Sequence, residues 1–278
     1  MSKCLSVIKK KGMHIPLLLF AFIQIYPLIW LLGFSLKDNH EIFGGNIAGL
    51  PKHWRFGNYS KAFFNANIIQ YLFNSVLVTA VTIIITLFVA AMASFAISRM
   101  LWKGRELTLK FILLGMMIPI HAALLPLFII LSKTQLLNSY WSLIIPYVAF
   151  GLPMAVYLFS SFMESIPREM EEAAAIDGCG IYRMFLLVIF PLIRPAIATV
   201  SIFTFIASWN ELMFAVTFIN KASYKTLTVG IMSMVGAYTT KWGEIGAGLM
   251  IATIPTVFMY LLLSDQVQKS LVSGAVKG

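Results

Sequence analysis

The sequence predicts an all-α integral membrane protein with six transmembrane helices. Of its 278 residues, 59% are hydrophobic and only 12% are charged, whereas a soluble globular domain carries roughly 25% charged residues. The mean hydropathy is +0.86. A soluble protein of this length needs a charged shell that this composition does not supply. We therefore expect most of the chain to lie in lipid.

Six segments are long and apolar enough to cross a bilayer. Each crossing needs about 20 mostly apolar residues, because every backbone amide must find its partner inside the helix. The six segments cover residues 14–36, 70–98, 107–131, 139–163, 194–219 and 245–263. With a loop over residues 164–193 and a tail over residues 264–278, they predict a single transmembrane domain over residues 1–278. The first apolar run exceeds the core of a signal peptide, so we interpret it as a span.

The positive charges predict the orientation of the spans, because short cytoplasmic connections are enriched in Lys and Arg. The N-terminal tail is rich in lysine, and Lys133 stands alone in the third connection. The second connection is dense in cations: Arg99, Lys103, Arg105 and Lys110. This pattern places both termini and the loop over residues 164–193 in the cytoplasm. The net charge of +10 follows this topology, so it does not predict a nucleic-acid partner.

The loop between the fourth and fifth spans is longer than a helical hairpin requires. Ser165 and Pro167 predict a helix start, and Gly178 is placed to close the helix in a left-handed conformation. The helix would have about eleven residues, too few for stability without packing against a neighbour. After it, residues 181–190 form a second amphipathic segment that ends at Pro191.

The helix that ends at Gly178 is acidic and has a face of small residues. One stripe at helical spacing contains Met170, Ala173, Ala174 and Asp177, with Glu172 towards the opposite side. A helix that lies on a membrane surface is the alternative, but such helices are usually rich in Lys and Arg. The excess acid favours docking on another protein.

No motif for catalysis or for metal binding is present in the sequence. There is no HExxH or GxSxG pattern, and Cys4 and Cys179 both fall on the predicted cytoplasmic side, where thiols stay reduced. The chain also lacks a GxxxxGK[ST] loop, the motif that holds ATP phosphates in many ATPases. A secondary transporter or channel remains the alternative, although it would not require an acidic docking loop.

The same loop resembles the EAA loop of permease subunits of bacterial ABC importers. The matching residues are Glu172-Ala173-Ala174, Gly178 and Val188-Ile189-Phe190-Pro191. The last four depart conservatively from the usual Ile-x-Leu-Pro. Further similarity to the MalG-type branch, which imports oligosaccharides and related polyols, extends over nearly the whole chain: Phe73-Asn74-Ser75, Pro119, Pro126-Leu127-Phe128, Trp209-Asn210-Glu211 and Gly274 to Gly278.

The resemblance implies a type I ABC importer permease fold in the bacterial cytoplasmic membrane. It implies no cofactor on this chain, a second homologous permease subunit, two ATPase subunits that bind ATP and Mg²⁺, an extracytoplasmic solute-binding protein and an oligosaccharide substrate. The loop would act as a coupling helix on the ATPase, through Met170, Glu171, Glu172, Ala173, Ala174, Asp177, Gly178 and Tyr182.

Two further sets of residues are candidates for functional contacts. In the MalG-type branch the C-terminal tail enters the ATPase dimer, which implies contacts by Gly274, Ala275, Val276 and Lys277; a frayed end is the alternative. Polar residues inside spans are costly and need an explanation. We expect Asn74, Ser75, Asn210 and Glu211 to line a translocation path or gate, with solvation or bonding to another helix as the alternatives.

Overall fold

The computed structural model describes residues 2–236 and 240–275, and every regular element in those ranges is helical. The predicted all-α class is therefore confirmed. The α-helices are α1 (Ser2–Ser35), α2 (Asn39–Phe43), α3 (Gly57–Asn65), α4 (Ile68–Ser98), α5 (Arg105–Leu114), α6 (Leu124–Lys133), α7 (Trp141–Glu164), α8 (Glu169–Ile176), α9 (Ile181–Arg183), α10 (Phe190–Leu192), α11 (Arg194–Trp209), α12 (Met213–Phe218), α13 (Leu227–Met232) and α14 (Trp242–Ala275).

Four of these helices are long and apolar enough to cross a membrane, and two bent helix pairs raise the number to six if each pair is one span. The four straight candidates are Pro16–Ser35, Ile68–Ser98, Trp141–Glu164 and Trp242–Asp265. They overlap the first, second, fourth and sixth predicted spans. The third and fifth predicted spans correspond to the bent pairs.

The third span is not the single helix that we expected over residues 107–131. The chain bends by 90° between Arg105–Met117 and Ile120–Lys133. Ile118 is extended, with φ −79° and ψ 116°, because the ring of Pro119 excludes the residue before it from the helical region. The proline was the signal for this break.

The fifth span also differs from its prediction over residues 194–219. The helix α11 ends at Trp209, and α12 starts only at Met213, so Asn210 and Glu211 lie in a break. Before α11, the segments Ile181–Leu192 and Arg194–Trp209 meet at 75°. The helix that contains the sixth span is longer than the predicted span, because α14 continues through the expected tail to Ala275.

The contacts divide the chain into two compact units, Met1–Ile69 with Ile231–Thr253, and Gln70–Gly230 with Ile254–Gly278. The single domain expected from the sequence stays a prediction. The second unit has two apolar clusters of buried residues. One contains Ala90, Ala91, Phe95, Ile97, Ala155, Val156, Phe159, Met163, Phe185, Ile189, Ile193, Ala196 and Val200. The other contains Val78, Leu131, Leu143, Ile144, Tyr147, Phe214, Ala215, Phe218, Ile219 and Val229.

In the first unit, a fully buried lysine organises the loop after α1. The Nζ of Lys37 donates to the carbonyl oxygens of Asn46 at 2.7 Å, Ile47 at 3.1 Å and Gly49 at 2.6 Å. The ammonium group has three N–H donors, so each of them has a backbone acceptor. Burial lowers the pKa of Lys37, and the carboxylate of Glu41 opposes this shift.

Two carboxylates stabilise the same loop. Asp38 Oδ1 accepts from the Glu41 amide at 2.9 Å, and Asp38 Oδ2 lies 3.0 Å from Arg55 Nη2. Glu41 Oε1 accepts from the Lys52 amide at 2.7 Å and from Asn46 Nδ2 at 2.6 Å. The pKa of Asp38 is lowered mainly by the Glu41 amide, and that of Glu41 mainly by the Lys52 amide.

We predict that this loop opens in acid. Because both folded-state pKa values lie below the usual values of about 4, the stabilisation is present above that pH and is lost as the pH falls through the folded values. Amide hydrogen exchange, corrected for intrinsic rates, should show protection of residues 38–56 falling below about pH 4. Glu41→Gln should weaken this pH dependence, and Glu244→Gln should not. A loop equally protected at every acid pH would contradict the prediction.

Candidate functional site

The loop over residues 164–193 contains a short helix closed by glycine. The helix α8 has eight residues where we expected about eleven. Gly178 has φ +78°, the left-handed conformation that its position predicted. The Cys179 amide donates to the Ala174 carbonyl at 2.9 Å, which is the six-to-one bond of a Schellman motif. The sequence predicts that Ser165 starts this helix, but the structure differs. The Ser165 hydroxyl donates to the Phe162 carbonyl at 2.8 Å and does not cap α8.

The exposed face of α8 differs in part from the predicted stripe. Met170, Ala173 and Asp177 are exposed, as is Glu172, but Ala174 is buried. Ile176 and Tyr182 are 87% and 83% exposed, so large apolar groups stand beside the acidic ones. We call the exposed residues Met170, Glu172, Ala173, Ile176, Asp177 and Tyr182 the coupling face.

Glu171 points away from the coupling face and forms an ion pair inside the protein. Its Oε1 lies 3.2 Å from Nε of Arg99, and the two side chains are 17% and 3% exposed. The same guanidinium donates through Nη2 to the carbonyls of Met163 and Ile166. The resemblance implies contact with the ATPase for Glu171, and the sequence analysis uses Arg99 only to predict the orientation of the spans. The pairing of these two residues was not predicted.

The segment after α8 is anchored in the apolar core of the second unit. Residues Met184–Ile189 form a π-helix, and Phe185 and Ile189 in it are buried. The Phe185 ring lies 5.3 Å from that of Phe95 and 5.9 Å from that of Phe190. Because Phe95 belongs to α4, the loop is attached to that helix by aromatic packing as well as by the ion pair.

Glu211 lies in the break between α11 and α12 and caps α12. Its Oε1 accepts from the Phe214 amide at 2.8 Å, and its Oε2 accepts from the Ala215 amide at 3.1 Å. Oε2 also accepts from the Tyr147 hydroxyl at 2.7 Å. The carboxylate thus satisfies two amides at a helix start, the usual role of a capping side chain. Tyr147, which the sequence reasoning did not select, is buried.

A cavity of about 300 Å³ opens beside Glu211, at the bend of the third span. Its polar wall includes Tyr147, Thr204, Ser208 and Glu211, and the rest is apolar. A second cavity of about 250 Å³ shares Phe150, Gly151, Thr204 and Ala207 with it. Glu211, one of the residues predicted for a translocation path, therefore lines a cavity.

Asn74 and Ser75 bind the protein itself. Asn74 Nδ2 donates to the carbonyls of Ser223 and Lys225, each at 2.9 Å, and its Oδ1 accepts from Tyr140 at 2.8 Å. Ser75 accepts from the Leu227 amide at 2.8 Å. Both are buried, which favours the helix-bonding alternative. Asn210 is exposed, and its Nδ2 donates to the Ile206 carbonyl at 3.0 Å.

Two of the four C-terminal residues predicted to contact the ATPase lie in α14. Gly274 and Ala275 are its last residues, whereas Val276 and Lys277 lie outside the described residues. Among the residues that the structure describes, no group of three or more His, Cys, Asp or Glu side chains is placed to hold a metal ion.

The left-handed glycine provides a first test of the loop. Gly178→Ala should lower the stability of the loop by about 1 kcal/mol, because a Cβ is strained at positive φ although the space around it is open. Gly180→Ala is the matched control, since Gly180 has φ −69° and open space. Thermal unfolding and limited proteolysis of the loop should separate the two variants. Equal behaviour would show that the left-handed turn is not required.

The cap on α12 provides a second test. Glu211→Ala removes the acceptor of two amides and of the buried Tyr147 hydroxyl, which should cost about 1–3 kcal/mol. The control Asn210→Ala removes a neighbouring exposed amide side chain and should change the melting temperature little. A Glu211→Ala variant as stable as the parent protein would contradict the capping role.

Comparison with known proteins agrees with this architecture. A probable ABC transporter permease protein of Bacillus subtilis is 37% identical over 262 residues, which are 94% of this chain and 87% of that protein. A diacetylchitobiose uptake system permease protein of Streptomyces coelicolor is 34% identical, over 95% of this chain and 88% of its own. A solved bacterial ABC transporter involved in import of the acidic polysaccharide alginate shares the fold, with a TM-score of 0.79 and 22% identity over 93% and 96% of the two chains.

The family model for the binding-protein-dependent transport system inner membrane component matches residues 89–275. This match covers the coupling face, the Arg99–Glu171 pair and the Glu211 cap. The chain belongs to this family of ABC importer permeases.

Proposed function

We propose that this chain is one permease subunit of an ATP-driven importer that moves an oligosaccharide or related sugar across the bacterial cytoplasmic membrane. The observation that carries the proposal is the coupling face, an acidic and apolar surface on a helix closed by Gly178 and anchored to the core behind it. The diacetylchitobiose permease among its relatives supports the substrate class.

The coupling face supports docking on a separate ATPase subunit. Glu172 is exposed, and Ile176, one turn further along α8, and Tyr182, which follows in α9, are mostly exposed as well. Exposed large apolar groups next to charge are typical of interaction surfaces. ATP and Mg²⁺ would bind to that subunit, and a cationic side chain on it would suit Glu172. Gly274, Ala275, Val276 and Lys277 would add a second contact at the end of α14.

The remaining partners follow from the family. Its description names a binding protein, which supports a solute-binding protein on the extracytoplasmic side. A second homologous permease would complete the pore, and the cavities beside Tyr147 and Glu211 would form this chain's share of the translocation path. Both termini would then be cytoplasmic, in agreement with the orientation that the distribution of Lys and Arg predicts.

Reversal of one exposed charge tests the docking. Glu172→Lys should greatly reduce association with the ATPase, because it would place a cation where we propose that a cation binds. Co-purification of the ATPase and binding-protein-stimulated ATP hydrolysis are the measurements, in vesicles that contain the complete importer. Glu106→Lys is the control, since Glu106 is also an exposed acid but belongs to α5. If Glu172→Lys retains full association and stimulation, the docking proposal is wrong.

The substrate class requires its own measurement. Uptake of a panel of labelled neutral disaccharides and oligosaccharides by the complete importer, with its own binding protein, should identify at least one transported sugar. Competition by unlabelled members of the panel gives the control. Failure of every sugar, with ATP hydrolysis still stimulated by the binding protein, would contradict the substrate class but not the ATPase coupling.

A further inference from the structure

We infer that Arg99 is a positioning residue for energy coupling: its buried ion pair with Glu171 makes α8 move as one body with the ends of α4 and α7. The inference rests on the proposed docking of the coupling face on an ATPase. It concerns a different step, namely how motion of α8 reaches the membrane-spanning helices.

Arg99 stands where three parts of the second unit meet. It continues the last turn of α4, since its amide donates to the Phe95 carbonyl at 3.0 Å. Its Nε faces Glu171 of α8 at 3.2 Å. Its Nη2 donates to Met163 in the last turn of α7 and, at 2.6 Å, to Ile166 in the linker that leads to α8. The Arg99 guanidinium therefore connects the C-terminal ends of α4 and α7 to α8.

Burial makes this connection costly to break. The Arg99 side chain is 3% exposed and that of Glu171 is 17% exposed. Separation of the two would leave a guanidinium group without its counter-charge in a site that water hardly reaches, and an unpaired buried charge is strongly unfavourable. A displacement of α8 should therefore carry α4 and α7 with it.

The adjacent residues Glu171 and Glu172 of α8 have different roles. Successive residues of a helix point about 100° apart, so Glu171 faces Arg99 while Glu172 stays exposed. Apolar packing of Phe185 against Phe95 holds the following segment against α4 but permits sliding. The buried ion pair holds Glu171 at one place on the side of α8 that faces Arg99, and so opposes rotation of α8 as well.

The experiment separates a mechanical role from a role in folding. The complete importer is reconstituted in vesicles, with Cys4 and Cys179 replaced and a single reporter, Phe73→Cys, introduced at the opposite end of α4, where Phe73 is exposed. The probe is a membrane-impermeant maleimide. ATP hydrolysis, thermal stability and the change in labelling rate on addition of ATP and vanadate are measured together.

The informative variant is the double replacement Arg99→Met/Glu171→Met. Replacement of a buried ion pair by apolar residues of similar size is often neutral for stability, whereas removal of one partner is not. We expect Arg99→Met and Glu171→Met alone to lose stability, and the double variant to recover it. The double variant should hydrolyse ATP with the ATPase bound, but its labelling response at residue 73 should shrink several-fold. Glu106→Met, at an exposed acid of α5, should respond like the parent protein.

Glu171→Asp keeps the charge but shortens the side chain by one methylene, and it should give an intermediate labelling response. It provides the test even if the methionine variants are not recovered from membranes. A full labelling response in the double variant or in Glu171→Asp would overturn the inference and leave the docking proposal intact. Failure of the parent complex to retain the ATPase would instead refute the docking proposal.

Discussion

The placement of one buried cation determines how the coupling loop is attached. Arg99 follows a long apolar helix into a site with almost no water, where its charge requires acceptors on every side. The carbonyls of Met163 and Ile166 accept hydrogen bonds from it, and the carboxylate of Glu171 supplies the counter-charge. Because these acceptors belong to different elements, satisfaction of one guanidinium brings the elements together. Together with the packing of Phe185 against Phe95, this pairing holds α8 with Glu171 inward and the coupling face exposed.

Lys37 shows the same principle within the other compact unit. Its buried ammonium group binds three backbone carbonyls of one loop, and the nearby carboxylates of Asp38 and Glu41 bind amides of the same region. In each unit a buried cation just after a long helix binds groups of a segment that is distant from it in the sequence or follows it as a loop. The structural role of these two cations depends on the groups that they bind, and their contribution to the net charge does not indicate it.

Local rules predicted the features that depend on neighbouring residues. The all-α class followed from composition, and the closure of α8 followed from Gly178, whose conformation depends on the absence of a Cβ. A local rule could also have predicted the bend at Pro119, because a proline restricts the backbone conformation of the residue before it. Apolar composition alone does not reveal such a bend, so the third span was predicted as one straight helix.

Features that depend on distant residues were not predictable from one sequence. Glu171 and Glu172 are chemically identical neighbours, and it is Glu171 that pairs with Arg99, a residue 72 positions earlier in the chain. Likewise, the role of Glu211 depends on Tyr147 and on the start of α12, neither of which its sequence context indicates. Asn74 and Ser75 hydrogen-bond the backbone of the segment after α12. That segment lies about 150 residues later in the chain, so the sequence did not indicate these contacts.

The most direct test of the central claim is the distance between α8 and the far end of α4 during the transport cycle. Nitroxide labels at Val76 and Ala175, both exposed, can be measured by double electron–electron resonance in the complete importer without nucleotide and after trapping with ATP and vanadate. If the Arg99–Glu171 pair makes these elements one body, the distance distribution should be the same in both states. A shift of about 5 Å, one helical turn, would show that α8 moves independently of α4 and would contradict the claim.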